Sequence, residues 1–125
     1  MRKYIIALML VTMAHTANAD FFDQWTKADT AREATYLALH VIDWGQTRNI
    51  VRRIDEDYKE LNPLLGNSPS IKRVDTHMAV SAVLHVAAAY ALPREWREGF
   101  QYATIGYVAA VVVRNNSIGL KVDFK

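Results

Sequence analysis

The stretch Met78-Ala-Val-Ser-Ala-Val-Leu-His85-Val-Ala-Ala-Ala-Tyr90-Ala-Leu-Pro93-Arg-Glu-Trp-Arg97-Glu-Gly99 decides the fold. From Met78 to Leu92 it carries no charged residue apart from His85, if that is protonated, and it is rich in alanine. Alanine is the strongest helix former, so a helix is predicted over about 71–91. Pro93 suits the first turn of a further helix, where its missing N–H is no loss. That helix is predicted over about 93–114. The link between the two is very short, which predicts an antiparallel helical hairpin.

The third helix carries a seam of small residues. Gly99, Ala103, Gly106 and Ala110 recur at helical spacing and share one face. The second helix offers Ala79, Ala82 and Ala89. Small residues let backbones approach closely, so the hairpin is expected to close along these two rows.

Upstream, a first helix is predicted over about 30–60. Thr30-x-x-Glu33 fits a capping box. Tyr36, Leu39, Ile50, Ile54, Tyr58 and Leu61 recur near the helical period. Gly45 lowers helix propensity and marks an expected kink. Asn62-Pro63 ends this helix, because the residue before proline avoids helical geometry. Gly66 and Ser68-Pro69 continue the turn, and Ser68 or Ser70 is placed to cap the second helix. Leu120 to Phe124 alternates like a strand but has no partner strand. The fold expected is therefore all-α: a small bundle of about three helices in one domain, 20–125.

The first nineteen residues read differently. Met1-Arg2-Lys3 is basic, Tyr4 to Met13 is apolar apart from Thr12, and Ala17-Asn18-Ala19 precedes Asp20. This is the grammar of a secretory signal peptide, with cleavage expected after Ala19. Just beyond, Phe21, Phe22 and Trp25 suggest either a short interfacial helix or a terminus covering the core.

Composition narrows the function classes. The chain has 125 residues, 51% of them apolar and 22% charged, so a folded domain is expected. A formal charge of +2, without a basic run, gives no footprint for nucleic acid. Cysteine is absent, which removes disulfides, thiolate metal sites and cysteine nucleophiles.

Charge also sorts along the chain. If each helix crosses a membrane, Arg48, Arg52, Arg53, Lys59, Lys72 and Arg73 fall on the same side as Arg114, Lys121 and Lys125. Only Lys27, Arg32, Arg94 and Arg97 fall opposite, as the positive-inside rule asks. The mean hydropathy of -0.05 and the His40 and Asp43 of the first helix speak for a soluble periplasmic bundle. The charge asymmetry tips the expectation towards export followed by residence in the inner membrane. The expected partner is an envelope protein or the lipid bilayer.

The motif Asp43-Trp-Gly-Gln46-Thr47-Arg-Asn-Ile50, with Asn62-Pro63-Leu-Leu-Gly66-x-x-Pro69-Ser70, resembles a group of small exported or membrane proteins of proteobacteria and their phages. More loosely, it resembles multi-helix membrane proteins with Asp and Thr on a first span and an Asn-Pro loop after it. The resemblance covers roughly Leu37 to Gly119. It implies an architecture and no catalytic residue.

The candidate functional or structural motif is therefore Asp43, Gln46, Thr47, Asn62, Pro63 and Gly66. His40, Asp43 and Thr47 share one face of the first helix. Asp43 is expected to be paired, with His40, Thr47 or the backbone after Asn62 as partners. His77 and His85 of the second helix are weak additional candidates. With His40 they offer an alternative reading as a metal- or haem-binding bundle. Asp55, Glu56, Asp57 and Glu60 read as a solvated face rather than a glycosidase pair. No serine sits in a nucleophile elbow. The expectation is a contact-driven envelope accessory protein, phage-derived and of the exclusion or lysis-control type, with no cofactor and no catalytic residue.

Overall fold

The structure is a computed structural model that describes residues 21–54 and 58–125. The segment expected to be a signal peptide lies outside the described residues, as do Asp55, Glu56 and Asp57. Three helices form the described part: α1 (Lys27–Arg52), α2 (Ile71–Ala91) and α3 (Arg94–Ser117). The all-α bundle expected from the sequence is the fold observed.

Local signals explain most of the helix ends. Ser70 caps α2, its hydroxyl accepting from Arg73 N at 3.1 Å. Pro93 is the N-cap residue of α3. The first helix differs from expectation at both ends. Its N-cap is Thr26, which forms the capping box with Asp29, one turn before the predicted Thr30/Glu33 pair. Glu33 is instead drawn inward to His85 and Gln101. The helix also stops at Arg52, well short of residue 60. Beyond it, Tyr58 donates its hydroxyl to Ile118 O at 2.7 Å, which ties this segment to the end of α3.

Gly45 marks a close approach rather than a kink, and α1 runs unbroken through it. A Cβ there would collide with Val122 and lie 2.8 Å from Phe124 Cε2. The C-terminal tail is a strap over α1, not a strand. Asp123 N donates to Gly45 O at 3.1 Å, and Lys121 N donates to Asn49 Oδ1 at 3.2 Å. Leu120 is buried at its root. At the other terminus, residues 23–26 are extended rather than helical, and Phe22 N donates to Ala91 O.

The packing order also departs from expectation. α2 and α3 both lie on α1, but they touch each other sparsely. The predicted seam between them does not form. Gly99, Ala103, Gly106 and Ala110 are all exposed, and nothing stands within 4 Å of a Cβ built on Gly99 or Gly106. The opposite face of α3 is turned inward, and it carries Arg97, Gln101, Val108 and Asn115. Those polar side chains need buried partners, and α1 supplies them in Asp29, Glu33 and Asp43. Pairing them outweighs closing an alanine seam, because an unpaired buried charge costs more than an open apolar groove.

The expectation that each helix crosses a membrane is also corrected. No helix among the described residues is long and apolar enough to do so. The buried polar stripes of α1 and α3 interrupt every apolar run.

Candidate functional site

Where α2 and α3 part, they leave a cleft of about 930 Å³ with α1 as its floor. The side chains of α1 facing it are Tyr36, His40, Asp43, Thr47 and Ile50. From α2 come His77, Met78 and Ser81, and from α3 come Thr104, Tyr107, Arg114 and Asn115. The loop from Tyr58 to Leu65 lines it as well.

Asp43 is the titrating group of the cleft. Burial pushes its carboxyl up to about 6, and Glu60 adds to the push. The charge of His40 and a hydrogen bond from Thr47 pull the other way. Asn115 of α3 donates to Asp43 Oδ1 at 3.3 Å. Asp43 is thus paired with Thr47, as expected, and also with Asn115, a partner that the sequence did not point to.

The Asn-Pro turn is a built loop beside this cleft. Asn62 Oδ1 accepts from Leu64 N, and its backbone carbonyl accepts from Leu65 N and Gly66 N. Gly66 adopts a left-handed backbone with φ of 80°, which a side chain would disfavour. The turn drives Leu65 into an apolar cluster with Val74 and Met78. Pro63 is exposed. Gln46 lies deeper. Its amide donates to Val112 O at 3.2 Å, while its buried Oε1 has no partner among the described residues. Glu60 Oε1 accepts from Asn62 N, and its buried Oε2 likewise has no partner among the described residues.

The three histidines do not converge. His40 Nε2 lies 2.8 Å from Met78 O, a carbonyl acceptor, which makes that nitrogen the protonated one. His77 Nε2 faces the Asn62 amide at 3.2 Å. His85 is sandwiched between the Tyr36 and Phe100 rings. Its two nitrogens meet Glu33 Oε1 at 2.7 Å and Thr104 Oγ1 at 2.8 Å. Among the described residues no group of three His, Asp or Glu side chains is placed to hold a metal ion.

Thr104, His85 and Glu33 form a hydroxyl–imidazole–carboxylate chain, the order used in nucleophilic catalysis. Burial lowers the pKa of His85, while Glu33 works against that. With a proton on Nδ1 the ring donates to Glu33, and its Nε2 faces the Thr104 hydroxyl, which also lies against the Phe100 and Gln101 carbonyls. The surroundings favour a structural lock. Thr104 lies inside α3, where backbone N–H groups are spent on the helix and leave none to stabilise an oxyanion. Gln101 also holds Glu33, through Nε2 to Oε2 at 2.9 Å.

Below this lock sits Arg97, with no exposed surface. It donates to Asp29 and to the carbonyls of Asp23, Gln24, Ala89, Tyr90 and Leu92. It therefore binds the N-terminal segment, the end of α2 and α1 into one unit. Burial works to raise the Asp29 pKa, but Thr26 and Arg97 outweigh it and hold the carboxyl below its ordinary value.

Asn115, Gln101 and Arg97 were not singled out by sequence reading, and Glu33 only as a capping residue. A signal existed. Asp29, Glu33, Tyr36, His40 and Thr47 recur at helical spacing on α1, as do Arg97, Gln101, Thr104, Val108 and Asn115 on α3. These are two polar stripes with the period of a buried face.

No family model, curated protein or solved structure matches the chain.

Proposed function

We propose that the chain is a non-enzymatic accessory protein of the cell envelope that acts by contact, with an envelope protein as its partner. The observation that carries this reading is an apolar outside around a partly polar interior. Beside an apolar core with Ile50, Leu65, Val74, Met78 and Val108, the interior holds Asp29, Glu33, His40, Gln46, Thr47, Glu60, His85, Arg97, Gln101 and Asn115. The outside shows Val80, Val83, Leu84, Tyr90, Tyr102, Tyr107 and Val113. Ordinary interiors are apolar, and large exposed apolar patches mark surfaces that meet something else. The secretory grammar of the first nineteen residues supports placing that contact in the envelope. Exclusion and lysis control, of host or phage origin, are roles of this contact-driven kind.

The outer face of α2, with Val80, Val83 and Leu84, is the proposed docking face. A photo-crosslinking side chain at position 83, in intact cells, should give one discrete adduct with an envelope protein. Leu84→Asp should abolish that adduct. Recovery of the whole chain unlinked in the osmotic-shock fluid would overturn the reading.

A further inference from the structure

We infer that α3 pairs with α3 of a second copy of this chain, antiparallel, through its outward face. The face is lightly engaged within the chain, where Arg32 lies over the Tyr102 ring at 5.5 Å and Tyr107 and Arg114 border the cleft, and it is more than a row of small residues. Trp96 is 43% exposed, Tyr102 57%, Tyr107 72% and Val113 68%. Glu95 and Arg114 are exposed at its two ends. The face runs along nearly all of a 24-residue helix.

Its residues are arranged as a palindrome about the midpoint between Thr104 and Ile105. Gly99 and Ala110 are equidistant from that point, as are Ala103 and Gly106. So are Tyr102 and Tyr107, Trp96 and Val113, and Glu95 and Arg114. In an isologous antiparallel contact residue i meets residue j of the other copy and j meets i, so such a row sets mirror positions against each other. In antiparallel register every small residue stands level with a small residue of the other copy. The backbones can then approach closely, and the tyrosines cover the two flanks of the contact.

Charge settles the direction. In the antiparallel pair, Glu95 of each copy stands level with Arg114 of the other, giving two opposite-charge pairs. Trp96 and Arg114 are about five helical turns apart and share an azimuth. Arg114 of the second copy therefore comes beside Trp96, where a guanidinium is attracted to the ring face. A parallel pair would instead set Glu95 against Glu95 and Arg114 against Arg114. Purified protein alone suffices for this pairing, so it stands or falls separately from any envelope partner.

The absence of cysteine makes the test direct. Ala103→Cys, near the twofold axis, should form an interchain disulfide on mild oxidation. Gly99→Cys alone should not, but mixed with Ala110→Cys it should. Val83→Cys, on α2, should remain unlinked. Sedimentation of the unmodified chain should show a monomer–dimer equilibrium. Arg114→Glu should weaken it about tenfold, since it removes two opposite-charge pairs and creates two repulsive ones. The charge swap Glu95→Arg with Arg114→Glu should restore it. Gly106→Leu should abolish dimers while the helical content stays unchanged, because that position is open in the single chain. A chain that stays monomeric at every attainable concentration would overturn the inference. So would links at position 83 without links at 103, self-linking of Gly99→Cys, or a charge swap that fails to rescue.

Discussion

Arg97 Nη1 donates to Asp29 Oδ2 at 3.1 Å, with both side chains withdrawn from solvent. The pair joins the start of α3 to the start of α1. Each partner has further bonds: Asp29 accepts from Thr26, and Arg97 reaches five backbone carbonyls. A buried ion pair contributes little over an apolar substitute, but removing Arg97 leaves the buried Asp29 to Arg32 and Thr26 and strips five carbonyls of their donor. Arg97→Met should therefore cost about 3–5 kcal/mol. Arg97→Lys keeps the charge but loses the planar fork that serves several acceptors, so it should fall between the two. Urea denaturation of both variants beside the parent measures this.

The Asp43 carboxyl gives a pH signature. Its pKa is raised from 3.8 to about 6 in the folded chain, so the folded state binds the proton more tightly than the unfolded state. Its stabilising contribution is thus fully present below the unfolded value and is lost as pH rises through about 6. The loss is at most about 3 kcal/mol. His85 runs the other way, because its pKa is lowered on folding. Its contribution is present above its unfolded value and fades as pH falls. The two oppose each other around neutral pH, so the parent alone is a poor reporter. Asp43→Asn removes one of them. Its stability relative to the parent should rise between about pH 4 and pH 6 and level off above that. A constant difference would show that Asp43 does not titrate in that window.

Gly45 should tolerate no side chain while the tail strap is in place. Gly45→Ala puts a methyl into Val122 and close to the Phe124 ring. Alanine favours the helix by about 1 kcal/mol over glycine, so α1 itself gains. The overpacking loss of about 1–3 kcal/mol should exceed that gain or expel the strap. Hydrogen exchange at Lys121 and Asp123, whose N–H groups bond to Asn49 and Gly45, should speed up in the variant while the centre of α1 stays protected.

Glu33 should matter more than its single charge suggests. It receives His85 Nδ1 through one oxygen and Gln101 Nε2 through the other. Glu33→Ala leaves His85 Nδ1 buried without an acceptor and leaves Gln101 Nε2 with Asp29 O alone, at about 1–3 kcal/mol for each bond lost. Glu33→Gln keeps one carbonyl oxygen and should lose roughly half as much. Thermal melts of the two variants separate the effects. The Tyr36–His85 ring stack should survive in the second and loosen in the first, visible in near-ultraviolet dichroism.

The helices were legible because helix formation and termination are local. Alanine content, Ser70 as a cap and Pro93 as a break act within a few residues of where they stand, whereas α1 ends at Arg52, well before the Asn62-Pro63 expected to stop it. They located α2 to the residue and α3 to within one turn at each end. The reach of α1 was misjudged where the deciding contacts are distant. Tyr58 is held by Ile118, and Asp29 by Arg97.

Which face of each helix turns inward was decided only by tertiary structure. α3 carries two periodic stripes, one small and apolar, the other polar, and both repeat at the same helical spacing. Periodicity identifies a face but not its direction. Asp43 was legible as a group in need of a partner, yet Asn115 lies far along the chain, and no local rule selects it. By itself the sequence determined the all-α class, the helix breaks and the need to pair its polar residues. The inward turn of the polar stripes came from the whole bundle, because only there can Arg97, Gln101 and Asn115 find Asp29, Glu33 and Asp43 together. Satisfying those groups outweighed burying the alanines and glycines of α3, and left that apolar face outside.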